Sequence, residues 1–122
     1  MRKLWLFTIL VLIFSAELYA GKADVTDATV SCSGTCSFDV TVRHADTGWE
    51  HYAHQWQVVA EDGSVLGTRV LYHPHVNEQP FTRSLGGVKI PPHVRQVRIR
   101  AADSVHGFGG IEKQLRLPSA AD

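Results

Sequence analysis

Cys36-Ser37-Phe38-Asp39-Val40-Thr41-Val42-Arg43-His44 is the clearest local signal in the chain. Phe38, Val40 and Val42 fall on one side of it, and Ser37, Asp39, Thr41 and Arg43 on the other. Successive side chains of a strand point to opposite faces, so this alternation predicts a half-buried β-strand. Working outward, comparable runs recur about every ten to twelve residues, broken by Gly, Pro and Asp, which is the spacing of an all-β fold. No apolar pattern of helical period follows Ala20. The expected strands cover residues 25–32, 36–44, 51–60, 65–72, 81–90, 94–103 and 111–117. Their inward faces are read as Ala28, Val30 and Cys32; Phe38, Val40 and Val42; Trp56 and Val58; Val97, Ile99 and Ala101; and Leu115 and Leu117. Gly86-Gly87 marks a bulge in the fifth strand. Seven short strands in about a hundred residues, with a tryptophan on the third, predict an immunoglobulin-like or fibronectin-type-III-like sandwich.

The start of the chain follows another pattern. Arg2 and Lys3 precede an almost unbroken apolar run, Leu4 to Phe14, and Leu18-Tyr19-Ala20 ends in a small residue. This predicts a secretory signal peptide, residues 1–20, cut after Ala20. The competing reading is an uncleaved anchor, but the run is shorter than the ~20 residues that span a bilayer. With no cysteine at the cleavage point, a lipid anchor is not expected. One domain, residues 21–118, and a short tail, 119–122, remain, with a periplasmic or secreted location. The whole chain carries 12 basic and 12 acidic residues. Without Arg2, Lys3 and Glu17 the net charge is near −1, which offers no footprint for nucleic acid or an anionic membrane.

Both cysteines, Cys32 and Cys36, lie in the expected exported part, where a disulfide is the default. Cys-Ser-Gly-Thr-Cys suits a stapled hairpin turn. The alternative, a redox or metal pair, would more commonly show the spacing C-x-x-C.

The candidate chemistry lies in the histidines. If successive strands run up and down, the loops after strands two, four and six share one pole. His44, His51 and His54 flank the first of these loops, His73 and His75 lie in the second, and His106 is in the third. Six of the seven histidines therefore gather at one pole, and only His93 goes to the other. The second loop, His73-Pro74-His75-Val76-Asn77-Glu78-Gln79-Pro80, is stiffened by prolines that exclude a helix or a central strand. By parity His44 follows Val42 inward, His54 shares the face of Trp56, and Asp103 that of Ala101. His44 and His54 are expected to meet across the upper rim of the core, beside Asp103.

Two chemistries fit that set. In one, His44, His54 and Asp103 form a hydrogen-bonded cap on the core. In the other, histidines from the set His44, His51, His54, His73, His75 and His106, with Glu78 or Asp103, bind a transition metal such as Zn or Cu(II). Without free thiolates, and with the initiator as the single methionine, a dedicated Cu(I) site is not expected. Trp49, Tyr52, Phe81 and Phe108 belong to the same pole. They either line a pocket for a small ligand, peptide or sugar or cover the core's edge. Arg83 shares the parity of Phe81 and needs an acid, Glu78 or Asp103, unless it serves an anion. No catalytic residue is assigned. Asp103, Ser104 and His106 are too close along one turn for a linear Ser–His–Asp relay. A protein or glycan interaction module with structural histidines is the alternative to a metal or ligand site.

The segments Gly48-Trp49-Glu50-His51-Tyr52-Ala53, Val65 to Leu71, His73-Pro74-His75-Val76, Glu78 to Ser84 and Asp103-Ser104-Val105-His106-Gly107 resemble a family of small exported bacterial proteins. The resemblance runs over nearly all of residues 21–118. It implies export from a bacterial cell and attaches no activity or functional residue.

Overall fold

The computed structural model describes residues 21–118; the expected signal peptide and tail lie outside the described residues. Eight strands follow one another: β1 (Asp24–Ser33), β2 (Thr35–Arg43), β3 (Ala53–Ala60), β4 (Val65–Val70), β5 (Phe81–Val88), β6 (Gln96–Asp103), β7 (Gly107–Phe108) and β8 (Lys113–Arg116). They form two antiparallel sheets. One has the order β1-β2-β5; the other has β4-β3-β6, with β7 and β8 both paired to β6. The result is an all-β sandwich of the expected class. No helix among the described residues is long and apolar enough to cross a membrane.

The alternation in β2 fixes how the sheets meet. Phe38, Val40 and Val42 are fully buried, facing Trp56 and Val58 of β3 and Ile99 of β6 in the same core cluster. Burying one such side chain contributes roughly 1.5–3 kcal/mol. The staple also forms as expected: Cys32 and Cys36 are cross-strand partners joined by a disulfide around Gly34, whose φ is +78°. In β5, Gly86 and Gly87 supply the extra residue where Cys36 pairs Val88 and Phe38 pairs Leu85.

Two details depart from the reading of the sequence. The last expected strand, residues 111–117, is shorter, β8 over Lys113–Arg116, and an unexpected two-residue strand, β7 over Gly107–Phe108, precedes it. β7 pairs with the top of β6 and β8 with its lower half. Between them the chain leaves β6 to bind the start of β1. Val25 N donates to Ile111 O at 2.8 Å, and Ile111 N donates to Asp24 Oδ1 at 2.7 Å. Gly110 permits this close approach, because a Cβ there would fall 1.9 Å from the carbonyl oxygen of Ala23.

The second correction concerns β3. It begins at Ala53, and a bulge lies between Ala53 and Gln55: Ala53 pairs Asp103 while Gln55 pairs Ala102. Two residues of β3 thus oppose one of β6, which inverts parity above Trp56. Ala53 takes the inward position, fully buried, and His54 does not.

Gly110→Ala should therefore force the two backbones apart and cost about 1–3 kcal/mol as an overpacking change. Gly21→Ala, whose added Cβ meets nothing within 4 Å, should leave Tm unchanged. Thermal melts of both variants check the contrast; a wild-type melt for Gly110→Ala would refute the close packing.

Candidate functional site

The three upper loops converge: His106 after β6 meets His51 of the first loop, with ring centroids 5.0 Å apart, and a residue outside the candidate set joins the first loop to the second. The alternation of β2 continues beyond its last paired residue, so that His44 and then Asp46 remain buried. Asp46 Oδ1 accepts from His44 Nδ1 at 2.5 Å and from Ala53 N at 3.0 Å; Oδ2 accepts from His75 N at 2.7 Å. One carboxylate thus ties the β2–β3 loop to the start of β3 and to the β4–β5 loop. Gln79 adds a second tie, accepting from His44 N at 2.9 Å and donating to His75 O at 2.9 Å. Asp46 belongs to a polar loop in sequence. The signal that could have found it is its i+2 relation to His44, one step further along the alternation of β2.

His44 has acceptors on both ring nitrogens: Asp46 on Nδ1, and the carbonyl oxygen of Gly21 at 2.8 Å from Nε2. A carbonyl cannot donate, so Nε2 must carry a proton, and the ring bonds Asp46 as an imidazolium. Burial works against that charge. The hydrogen bond and charge of Asp46, the Gly21 carbonyl and the charge of Asp103 outweigh it and raise the His44 pKa above its ordinary 6.5. Burial likewise disfavours the Asp46 carboxylate, but the donors from His44, His75 and Ala53 hold its pKa below the ordinary value.

Beside this pair stands Asp103, at the end of β6 and 1% exposed. Its Oδ1 accepts from His51 Nε2 at 2.8 Å, His106 Nδ1 at 3.0 Å, His106 N at 2.8 Å and Val105 N at 3.0 Å. Burial again opposes ionisation, yet these donors lower the pKa. Its other oxygen, Oδ2, is buried without a partner among the described residues. The rings of His44 and His51 meet edge to face with centroids 4.8 Å apart, and those of His51 and His106 are 5.0 Å apart. One ligand atom from each of His44, His51 and Asp103 lies within 4.8 Å of the other two. With His51 Nε2 and His106 Nδ1 turned to Asp103, the ring nitrogens left to act as ligands are His51 Nδ1 and His106 Nε2.

The rest of the expected set is held elsewhere. The bulge in β3 turns His54 away from His44, so the pair that meets across the rim is His44 and His51, not His44 and His54 as expected. His54 Nδ1 instead approaches the carbonyl oxygen of Ala102 at 3.2 Å. His75 is buried, stacked on Phe81 at 3.9 Å, and its Nε2 accepts from Arg83 at 2.8 Å. Burial, then the charges of Arg83 and His73, lower the His75 pKa. Arg83 finds its acid in Glu78, at 3.3 Å, rather than in Asp103. His73 and Glu78 are exposed, the ring of His73 lying 4.6 Å from that of His75. Trp49 is 67% exposed and packs edge-on against Tyr52. Phe108 lies under the guanidinium of Arg100 at 4.2 Å.

No family model matches the chain, and no solved structure matches it. A curated protein of Halomicrobium mukohataei, described as "Putative lipoprotein", is 39% identical over 109 residues. The match covers 88% of this chain and 53% of the relative, so the chain spans about half the length of that curated relative.

The opposing shifts of His44 and Asp46 set a pH window for their pair. A raised histidine pKa gives stability that is full below about pH 6.5 and is lost as pH rises through the folded value. A lowered carboxylate pKa gives stability that is full above about pH 3.8 and is lost as pH falls through the folded value. The stability difference between wild type and His44→Gln should be greatest between these limits and shrink above them; chemical denaturation at pH 5 and pH 9 measures it. Asp46→Ala, which strands a buried imidazolium and two backbone N–H groups, should cost about 3–5 kcal/mol at pH 6.

Proposed function

We propose that this chain is a small exported β-sandwich protein that binds a divalent transition metal at its histidine pole. His44, His51 and Asp103 are the proposed ligands, with His106 beside them. The carrying observation is the buried Asp103 carboxylate, with one oxygen saturated by donors and the other unpartnered, set between imidazoles. A buried anionic oxygen without a donor is costly, and a cation bound there relieves that cost. Imidazole and carboxylate donors suit Zn or Cu(II). The hydrogen bonds from His51 and His106 to Asp103 also resemble the carboxylate–histidine contacts that orient metal ligands. Export is supported by the leader-like residues 1–20, the Cys32–Cys36 disulfide and the name of the similar protein.

A second reading has its own support. His44 already satisfies both ring nitrogens within the protein, as a structural cap would. On that reading the pole is an interaction face for a protein or glycan, led by the exposed Trp49 and Tyr72. Metal dependence separates the two.

The chain from Gly21 onward, made without a histidine tag, should bind about one equivalent of Cu(II) or Zn(II) and gain thermal stability on loading. His51→Ala and Asp103→Asn should each weaken binding by about 10–100-fold. Affinity should fall as pH drops and protons compete for the imidazoles. Isothermal titration at pH 7.5 and pH 5.5 tests this; wild-type affinity in both variants would remove the pole as the site.

A further inference from the structure

We infer that the α-amino group of Gly21, exposed when the leader is removed, is a further ligand of the metal centre and favours Cu(II) there. The inference rests on the metal-binding reading above and on cleavage after Ala20. Hydrolysis of the Ala20–Gly21 peptide bond adds water across its C–N bond, leaving a carboxylate on Ala20 and a primary amine on Gly21. A peptide nitrogen before cleavage is a poor donor, because its lone pair is delocalised into the carbonyl. The amine that replaces it is a good one.

The geometry brings that amine to the site. Gly21 O lies 2.8 Å from His44 Nε2, the nitrogen of His44 not engaged by Asp46. An amine nitrogen is about 3.6 Å at most from the carbonyl oxygen of its own residue. It therefore lies within roughly 6.4 Å of His44 Nε2, and rotation about one single bond, ψ of Gly21, changes that distance. The amine nitrogen and carbonyl oxygen of one residue can close a five-membered chelate on an ion. Metal binding would release to solvent the proton that His44 Nε2 shares with Gly21 O, and the ion would take its place.

The chain start is also held where such a ligand is needed. Ala23 is fully buried, and its carbonyl packs against Gly110 so closely that a Cβ would not fit. Asp24 and Val25 are hydrogen-bonded to both sides of Ile111. Gly21 is thus two residues from a fixed anchor, while a Cβ on Gly21 itself would meet nothing within 4 Å. A tethered donor next to two others acts at high effective concentration. Nitrogen donors with a carboxylate in an open N,O set favour Cu(II) over Zn(II).

The test compares Cu(II) binding by three chains. One begins at Gly21 with a free amine, one begins two residues earlier at Tyr19, and one carries Gly21→Ala with a free amine. Competition titration and electron paramagnetic resonance are the readouts. The Tyr19 chain should bind Cu(II) at least about tenfold more weakly and show one coupled nitrogen fewer, with an unchanged apo Tm. The Gly21→Ala chain should match the mature protein in both. Equal affinity and spectra for the Gly21 and Tyr19 chains overturn the amine as a ligand. If His51→Ala still abolishes binding in both, the histidine site stands without the amine. If His51→Ala changes neither, the site and the inference fall together.

Discussion

The upper pole depends on the buried carboxylate of Asp46. It accepts hydrogen bonds from the His44 ring, the Ala53 amide and the His75 amide, and these donors belong to three different parts of the chain. A buried carboxylate is costly to leave without donors, and this arrangement of the loops brings all three to it. The same carboxylate sets the charge of His44, and hence the electrostatics around Asp103.

Asp103 is organised in the same way but left incomplete. One oxygen collects two imidazoles and two backbone amides, while the other faces no donor among the described residues. In a protein whose other buried carboxylate has donors on both oxygens, this asymmetry singles out the place where a cation would gain most. On the proposed metal reading, an ion would take the place of the proton that His44 Nε2 shares with Gly21 O, and protons and metal would compete for that nitrogen. On that reading the pole would be a hydrogen-bonded cap while the proton is present and a ligand set once it is replaced.

The start of the described chain belongs to this pole through backbone packing. The segment between β7 and β8 leaves β6 to bind β1, and Gly110 allows the carbonyl of Ala23 to come closer than any side chain would permit. Gly21 is thereby placed over His44. The close approach at Gly110 is a role that local sequence pattern does not reveal.

Alternation along β2, β3 and β6 was enough to name most of the apolar core and the inward positions of His44 and Asp103. These follow from side-chain direction within a strand, a local property with a period of two residues. Grouping the histidines at one pole needed only the assumption of up-and-down strands. Which histidines meet was different. A single bulged residue at His54 inverted parity and put His51 beside His44, and parity counts carry no mark of a bulge that lacks glycine. Only the His44 contact of Asp46 is local; its other donors lie 7 and 29 residues away in the chain. The core was legible because burial follows from near neighbours; the site was decided by tertiary contacts, because a buried charge is satisfied by whichever donors the fold brings to it.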